Sequence, residues 1–169
     1  MAAKATVFKA ELTVSDMDRH YYATHALTLA QHPSETEDRL MVRLLAFALN
    51  AGEQLAFGRG ISTEEEPDLW DRDLTGAIDL WIEVGQPDEQ RLRKACGRAK
   101  EVRVYCYSGR SAAVWWQKSE SDFARFKNLR VFDIPAGATA QLGALAARNM
   151  VSLSGRSLSD LTSEAALSN

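Results

Sequence analysis

Two carboxylates set fifteen positions apart, Asp68 and Glu83, are the side chains of this chain whose type and setting point most directly to chemistry. Residues 78–84 alternate. Ile78, Leu80, Ile82 and Val84 fall on one side, and Asp79, Trp81 and Glu83 on the other, the period of a strand with one buried face. Thr75-Gly76 separates this run from another strand-like run, and a glycine at that place signals a hairpin. With the turn centred there, position i faces position 151 − i, so that Asp68 faces Glu83, Trp70 faces Trp81 and Arg72 faces Asp79. The aromatic pair and the opposite-charge pair are favourable across a hairpin, but like charges roughly 4.5–5.5 Å apart at Cβ are not. A divalent cation held between the two carboxylates, or a proton shared by them, would remove the conflict. So would a register one residue away.

The next stretch adds the opposite charge. Pro87 opens a helix expected over about 87–100, with Asp88 and Glu89 in its first turn, where the helix dipole favours anions. Leu92, Ala95, Cys96 and Ala99 form its apolar stripe, and Arg91, Lys94 and Arg98 a basic stripe at i, i+3 and i+7. From 91 to 110 there are seven basic residues and one acidic residue, whereas 62–90 holds ten acidic residues and one basic residue. Carboxylates beside a basic helix suit a metal that meets a phosphate. They equally suit neighbouring segments that neutralise each other on the surface.

The remaining elements must carry this pair. Residues 5–14 and 21–30 read as a long antiparallel hairpin joined by polar turn residues, with His20, His25 and His32 in or beside it at no metal-ligand spacing. Ser34-x-x-Glu37 is a capping box opening a helix to about Ala51, stopped by Gly52, with Met41, Leu44, Leu45 and Ala48 as its buried stripe. Residues 52–65 read as a loop. After the basic helix come a strand at 102–107, parallel to the preceding one, and a strand at 113–117. A polar helical segment at 119–127 and a strand at 129–134 follow. Last are an Ala- and Leu-rich helix at 138–147, a strand near 150–153 and a weakly ordered end over 154–169.

Pro67-Asp68 followed by Glu83-Val84-Gly85 resembles the PD-(D/E)XK nuclease signature, with Gly85 where the family carries Lys. Longer stretches are similar to the YaeQ family of small bacterial proteins: Lys-Ala-Glu-Leu at 9–12, Tyr-Tyr-Ala-Thr-His at 21–25, His-Pro-Ser-Glu-Thr at 32–36, Glu-Pro-Asp-Leu-Trp at 66–70, Leu-Trp-Ile-Glu-Val-Gly-Gln-Pro-Asp at 80–88 and Lys-Ala-Cys-Gly-Arg-Ala-Lys at 94–100. The resemblance implies an α/β fold of restriction-endonuclease type: a mixed central sheet flanked by helices, here with an added N-terminal β-hairpin. It also implies Mg²⁺ or Mn²⁺ on Asp68 and Glu83, with the Val84 carbonyl as a further oxygen ligand, and an acidic helper from the first helix, Glu37, with Glu35 as runner-up. The missing Lys would be replaced by Lys94 or Lys100 from the following helix, while Gln86 could position a water but not act as a cation.

Composition narrows the classes. A chain of 169 residues is expected to form one domain over 1–169, and one that buries roughly 68–70% of its unfolded surface needs no disulfide or structural metal. Hydrophobic and charged contents of 46% and 25% are those of a soluble globular protein. Met-Ala-Ala-Lys-Ala-Thr-Val lacks the apolar core of a signal peptide, and no run approaches the ~20 apolar residues of a membrane span, so a cytoplasmic protein is expected. The sequence does not fix the oligomeric state, and a monomer is the expectation. Cys96 and Cys106 have no CxxC spacing and read as buried thiols. The net charge of −3 argues against strong non-specific nucleic-acid binding by the whole molecule but leaves room for a local basic site. No organic cofactor is indicated. Two functions stand at this point. One is a Mg²⁺-dependent phosphodiesterase acting on nucleic acid. The other is a non-catalytic descendant of the same fold that binds DNA, RNA or a protein partner, with Arg91, Lys94 and Arg98 as the nucleic-acid-binding residues.

Overall fold

The structure is a computed structural model, which describes residues 5–135, 137 and 151–154. The N-terminal alternation forms β1 (Thr6–Asp16) and β2 (Tyr21–Gln31), paired antiparallel over their full lengths. A short strand, Val151–Ser154, adds to β1 in parallel and completes a three-stranded sheet. The expected helix at 138–147 and the tail from 155 onward lie outside the described residues.

The second sheet carries the site. Its five strands are β3 (Leu55–Phe57), β4 (Leu69–Arg72), β5 (Ile78–Val84), β6 (Ala99–Cys106) and β7 (Leu129–Asp133), in that spatial order; Val151–Ser154 is β8. β3, β4 and β5 run antiparallel, and β5, β6 and β7 parallel. Parallel neighbours need crossovers, and helices supply both: α2 (Glu89–Arg98) joins β5 to β6, and α3 (Arg110–Phe123) joins β6 to β7. This corrects the expectation of a strand at 113–117. Those residues lie inside α3, where Trp115 and Trp116 both approach the Phe123 ring, at 5.6 and 6.5 Å between centroids. β3 falls in a stretch that reads as loop, and adds three residues to the sheet edge.

The hairpin register is Leu69–Ile82, Trp70–Trp81 and Asp71–Leu80, as expected, with the two indoles meeting edge to face at 6.1 Å. A bulge at Asp71/Arg72 then moves Arg72 opposite Ile78 rather than Asp79. Arg72 stacks over the Trp70 ring at 4.0 Å, and Asp79 pairs with Lys100 at 2.8 Å. Nor has β5 one buried face. Trp81, Ile82, Glu83 and Val84 are all buried, because β5 is the middle strand and both its faces are covered.

Helix α1 (Glu37–Asn50) is covered nearly all round. It packs with Leu12, Val14 and Leu29 of the N-terminal sheet and with Leu69, Ile82 and Val84 of the central sheet. Its N-cap is Thr36, whose hydroxyl accepts from the Arg39 amide, and not Ser34, whose hydroxyl is held by the His32 ring at 2.7 Å. On the other side α2 and α3 cover Trp81, Val102 and Val104.

Candidate functional site

The two carboxylates sit where α1, the hairpin and α2 converge. Asp68 immediately precedes β4, and Glu83 lies near the end of β5; they are 1% and 3% exposed. Buried charges must be paired or they cost several kcal/mol, roughly 3–5 when one partner is removed. Here each has its own guanidinium. Arg39, from the first turns of α1, donates through Nη2 to Asp68 Oδ1 at 2.9 Å and Oδ2 at 3.0 Å, and to the Val84 carbonyl at 3.1 Å. The Val84 amide donates to Asp68 Oδ2 at 2.8 Å. Glu83 Oε1 accepts from Trp81 Nε1 and from Arg91 Nε, each at 2.8 Å.

Glu35 extends the cluster. It is 6% exposed and accepts from Arg39 Nη1 at 2.6 Å and from Arg43 Nη2 at 2.7 Å. Three carboxylates (Glu35, Asp68, Glu83) thus meet three guanidiniums (Arg39, Arg43, Arg91), and the formal charges cancel. Burial tends to lower the pKa of Arg39, but the Asp68 and Glu35 carboxylates outweigh it and push the value up. Burial and the nearby Asp68 charge raise Glu83 to about 7, against the opposing pull of Arg91.

Glycines shape the surroundings. Gly60 has φ +49, and a Cβ there would lie 2.3 Å from Asp68 Oδ1, so the 58–62 loop closes directly onto the carboxylate. Gly85, which the nuclease resemblance sets in the place of a Lys, has φ +111 with open space around it. The backbone itself, rather than crowding, selects glycine there.

A cleft of about 380 Å³ opens over Glu83 and is lined also by Arg39, Thr63, Gln86 and Arg91. Gln86 is fixed by donating to Ser111 Oγ at 3.0 Å. A second groove of about 460 Å³ along α2 shares Arg91 and Glu64 with the cleft and adds Arg93, Lys94 and Arg98. Lys94 and Arg98 face Glu64 and Glu65 at 4.0 and 3.9 Å. Arg98 also donates to the Glu65 carbonyl at 2.9 Å, and Arg91 to that of Glu66 at 3.1 Å, so α2 holds the acidic loop down.

Of the residues singled out in the sequence, Glu83, Gln86 and Arg91 line one cleft, Asp68 is tied to its wall through Arg39 and the Val84 amide, and Lys94 and Arg98 line the adjoining groove. Lys100 stands at the other end of β5, on Asp79. Glu37 is exposed at the start of α1, while the buried acid linked to Asp68 is Glu35, the runner-up. Arg39 and Arg43 are the site arginines that sequence reasoning misses. Their signal is the row Glu35, Arg39 and Arg43 at i, i+4 and i+8, charges repeating along an otherwise apolar helix face.

The oxygens nominated for Mg²⁺ or Mn²⁺ can be tested against this geometry. Both Asp68 oxygens and the Val84 carbonyl already accept from Arg39 Nη2. Among the described residues no group of three or more His, Cys, Asp or Glu side chains is arranged to hold a metal ion. A divalent cation therefore does not fit on Asp68 and Val84 while Arg39 is in place. Neither thiol is poised as a thiolate: burial pushes Cys96 up to about 11, and burial with the Asp133 charge pushes Cys106 up to about 12. No helix among the described residues is long and apolar enough to cross a membrane.

A mixed α/β protein whose hairpin delivers buried carboxylates to a neutral guanidinium cluster is the class defined so far. Residues 1–156 match the YaeQ protein family, and the chain belongs to it. Over 150 residues it is 49% identical to the YaeQ protein of Salmonella typhi and 46% identical to that of Escherichia coli K12, in each case across 89% of this chain and 83% of the relative. The crystal structure of the YaeQ protein from Xanthomonas axonopodis pv. citri superposes with a TM-score of 0.82 at 57% identity, covering 89% of this chain and 84% of that one. The YaeQ protein from Pseudomonas syringae gives 0.80 at 38% identity, covering 89% and 82%.

Proposed function

We propose that this chain is a non-catalytic, nucleic-acid-binding descendant of the PD-(D/E)XK nuclease fold. A hairpin followed by two parallel strands, with acids before β4 and at the end of β5, supports that ancestry. The observation that carries the choice of binding over hydrolysis is Arg39 Nη2, bonded to Asp68 and to the Val84 carbonyl where the nuclease reading needs a metal. Hydrolysis would also need a cation to meet the developing charge. Gly85 has no side chain, Lys94 lines the neighbouring groove and Lys100 is engaged by Asp79.

The binding surface in this reading is the track from the cleft into the α2 groove. Arg91, Lys94 and Arg98 rise along it about 4.5 and then 6 Å per step at ~1.5 Å per helical residue. The ion pairs that cover Lys94 and Arg98 are weak, although Arg98 also donates to the Glu65 carbonyl at 2.9 Å. Glu64 and Glu65 side chains are more than four-fifths exposed and stand near the 4 Å limit, where an ion pair contributes roughly 0–1 kcal/mol. Phosphate oxygens compete well with such partners. The net charge of −3 makes the interaction local and salt-sensitive.

Fluorescence anisotropy with labelled single-stranded DNA and RNA across a salt series tests this. The double reversal Lys94→Glu/Arg98→Glu is expected to weaken binding at least ~10-fold and to reduce the salt slope by about 1.4, two contacts at ~0.7 each. Glu83→Ala is expected to leave binding intact. Binding indifferent to the double reversal, or cleavage of either strand that Glu83→Ala abolishes, contradicts the proposal.

A further inference from the structure

The geometry points to Arg39 as the resident cation of the Asp68 site: its guanidinium and a divalent metal ion are mutually exclusive occupants of one oxygen cage. A single nitrogen, Nη2, meets Asp68 Oδ1, Asp68 Oδ2 and the Val84 carbonyl within 2.9–3.1 Å. Three oxygens converging on one point, from a carboxylate and a backbone carbonyl, form a donor set of the kind a hard divalent cation takes, at shorter range. The second nitrogen, Nη1, is held back by Glu35 Oε2 at 2.6 Å, which fixes the guanidinium in the cage. Glu83 lines a cleft together with Arg39 and Val84, and both of its hydrogen bonds fall on Oε1.

Charge balance supports the same conclusion. With Arg39 present the three buried carboxylates are matched by three guanidiniums, and a further +2 charge would be uncompensated. Without Arg39 the cluster loses one positive charge beside a ring of oxygens freed of their donor. An ordinary buried salt bridge would leave only a destabilised protein on losing its arginine. A cation cage instead leaves a latent Mg²⁺ or Mn²⁺ site. This inference shares the Arg39 contact with the proposed function, but its test reads metal binding alone and does not involve the nucleic-acid track on α2.

The test is calorimetric titration of MnCl₂ into the full chain and three variants, Arg39→Met, Asp68→Asn and the double variant. The expected result is no saturable binding to the wild type, one saturable site in Arg39→Met, and loss of that site in Arg39→Met/Asp68→Asn. Thermal denaturation should agree, with Mn²⁺ raising the Tm of Arg39→Met and not that of the wild type. Saturable wild-type binding that Asp68→Asn removes overturns the inference, and so does a folded Arg39→Met that binds no Mn²⁺. Should Arg39→Met be unfolded without metal, refolding in excess Mn²⁺ is expected to restore the native circular dichroism spectrum and EDTA to reverse it. Failure of both Arg39→Met and Arg39→Gln to fold or bind in Mn²⁺ overturns it equally.

Discussion

Arg39 Nη2 bonds both oxygens of Asp68, 29 residues away in sequence, and so ties the first helix to the entry of the central hairpin. Asp68 is 1% exposed, and its carboxylate is also the acceptor for the Val84 amide. Cutting it back strands a buried guanidinium and a buried N–H together. Asp68→Ala is therefore expected to cost about 3–5 kcal/mol, and Asp68→Asn less, because an amide keeps one acceptor. Urea unfolding at neutral pH measures both. A loss under ~1 kcal/mol for Asp68→Ala would mean that the pair is not the anchor described here.

Glu83 gives stability a pH dependence of unusual sign for a carboxylate. Its folded pKa is raised to about 7 from an ordinary 4.5, so the folded state holds the proton more tightly than the unfolded chain. The stabilisation is fully present below about pH 4.5 and is lost as pH rises through about 7. At 1.36 kcal/mol per unit the span is about 3 kcal/mol. Glu83→Gln removes this titration, so the stability of the wild type relative to Glu83→Gln should fall by about that amount between roughly pH 5 and pH 8. A flat difference across that window contradicts the assignment.

Glycines at two positions should respond in opposite directions. A Cβ on Gly60 would stand 2.3 Å from Asp68 Oδ1 at a backbone φ of +49, so Gly60→Ala is expected to lose roughly 2–3 kcal/mol. Gly97 lies within α2, and a Cβ added there would meet nothing within 4 Å, so Gly97→Ala should gain roughly 0.5–1 kcal/mol. Thermal unfolding of the two variants resolves the sign of each.

A lysine placed at Gly85, as the proposed nuclease ancestry would call for, should fail for a backbone reason. Gly85 has φ +111, which L side chains rarely adopt, so Gly85→Lys is expected to cost about 1–3 kcal/mol and to confer no cleavage of single- or double-stranded nucleic acid. Gain of Mg²⁺-dependent cleavage by this variant would contradict both the backbone argument and the role given to Arg39.

Much of the frame is legible in the sequence because it rests on local patterns. The alternation of β1, β2 and β5, the tryptophan pair and the turn at Gly76 define strands and register to within a residue. The parallel β5–β6 pair follows from the helix between them. The register departs from expectation only at the bulge, where Arg72 stacks on Trp70 instead of meeting Asp79. The run at 113–117 misleads because its valine and tryptophans suit a strand, whereas the β6–β7 connection requires a helix. In the site, the hairpin register leads to Asp68 and Glu83, and the nuclease resemblance adds Gln86. Neither leads to Arg39, because an arginine on a helix reads as solvated until the fold lays α1 across the end of the hairpin. The same packing explains why Glu35, one residue outside the cap, is buried while Glu37 is exposed.

The most direct check on the exchange of metal for guanidinium is anomalous diffraction from a wild-type crystal soaked in MnCl₂. The expected map shows Arg39 Nη2 still bonded to Asp68 and to the Val84 carbonyl, with no manganese peak within ligand distance of those oxygens. A peak there, with Arg39 displaced, would contradict the account.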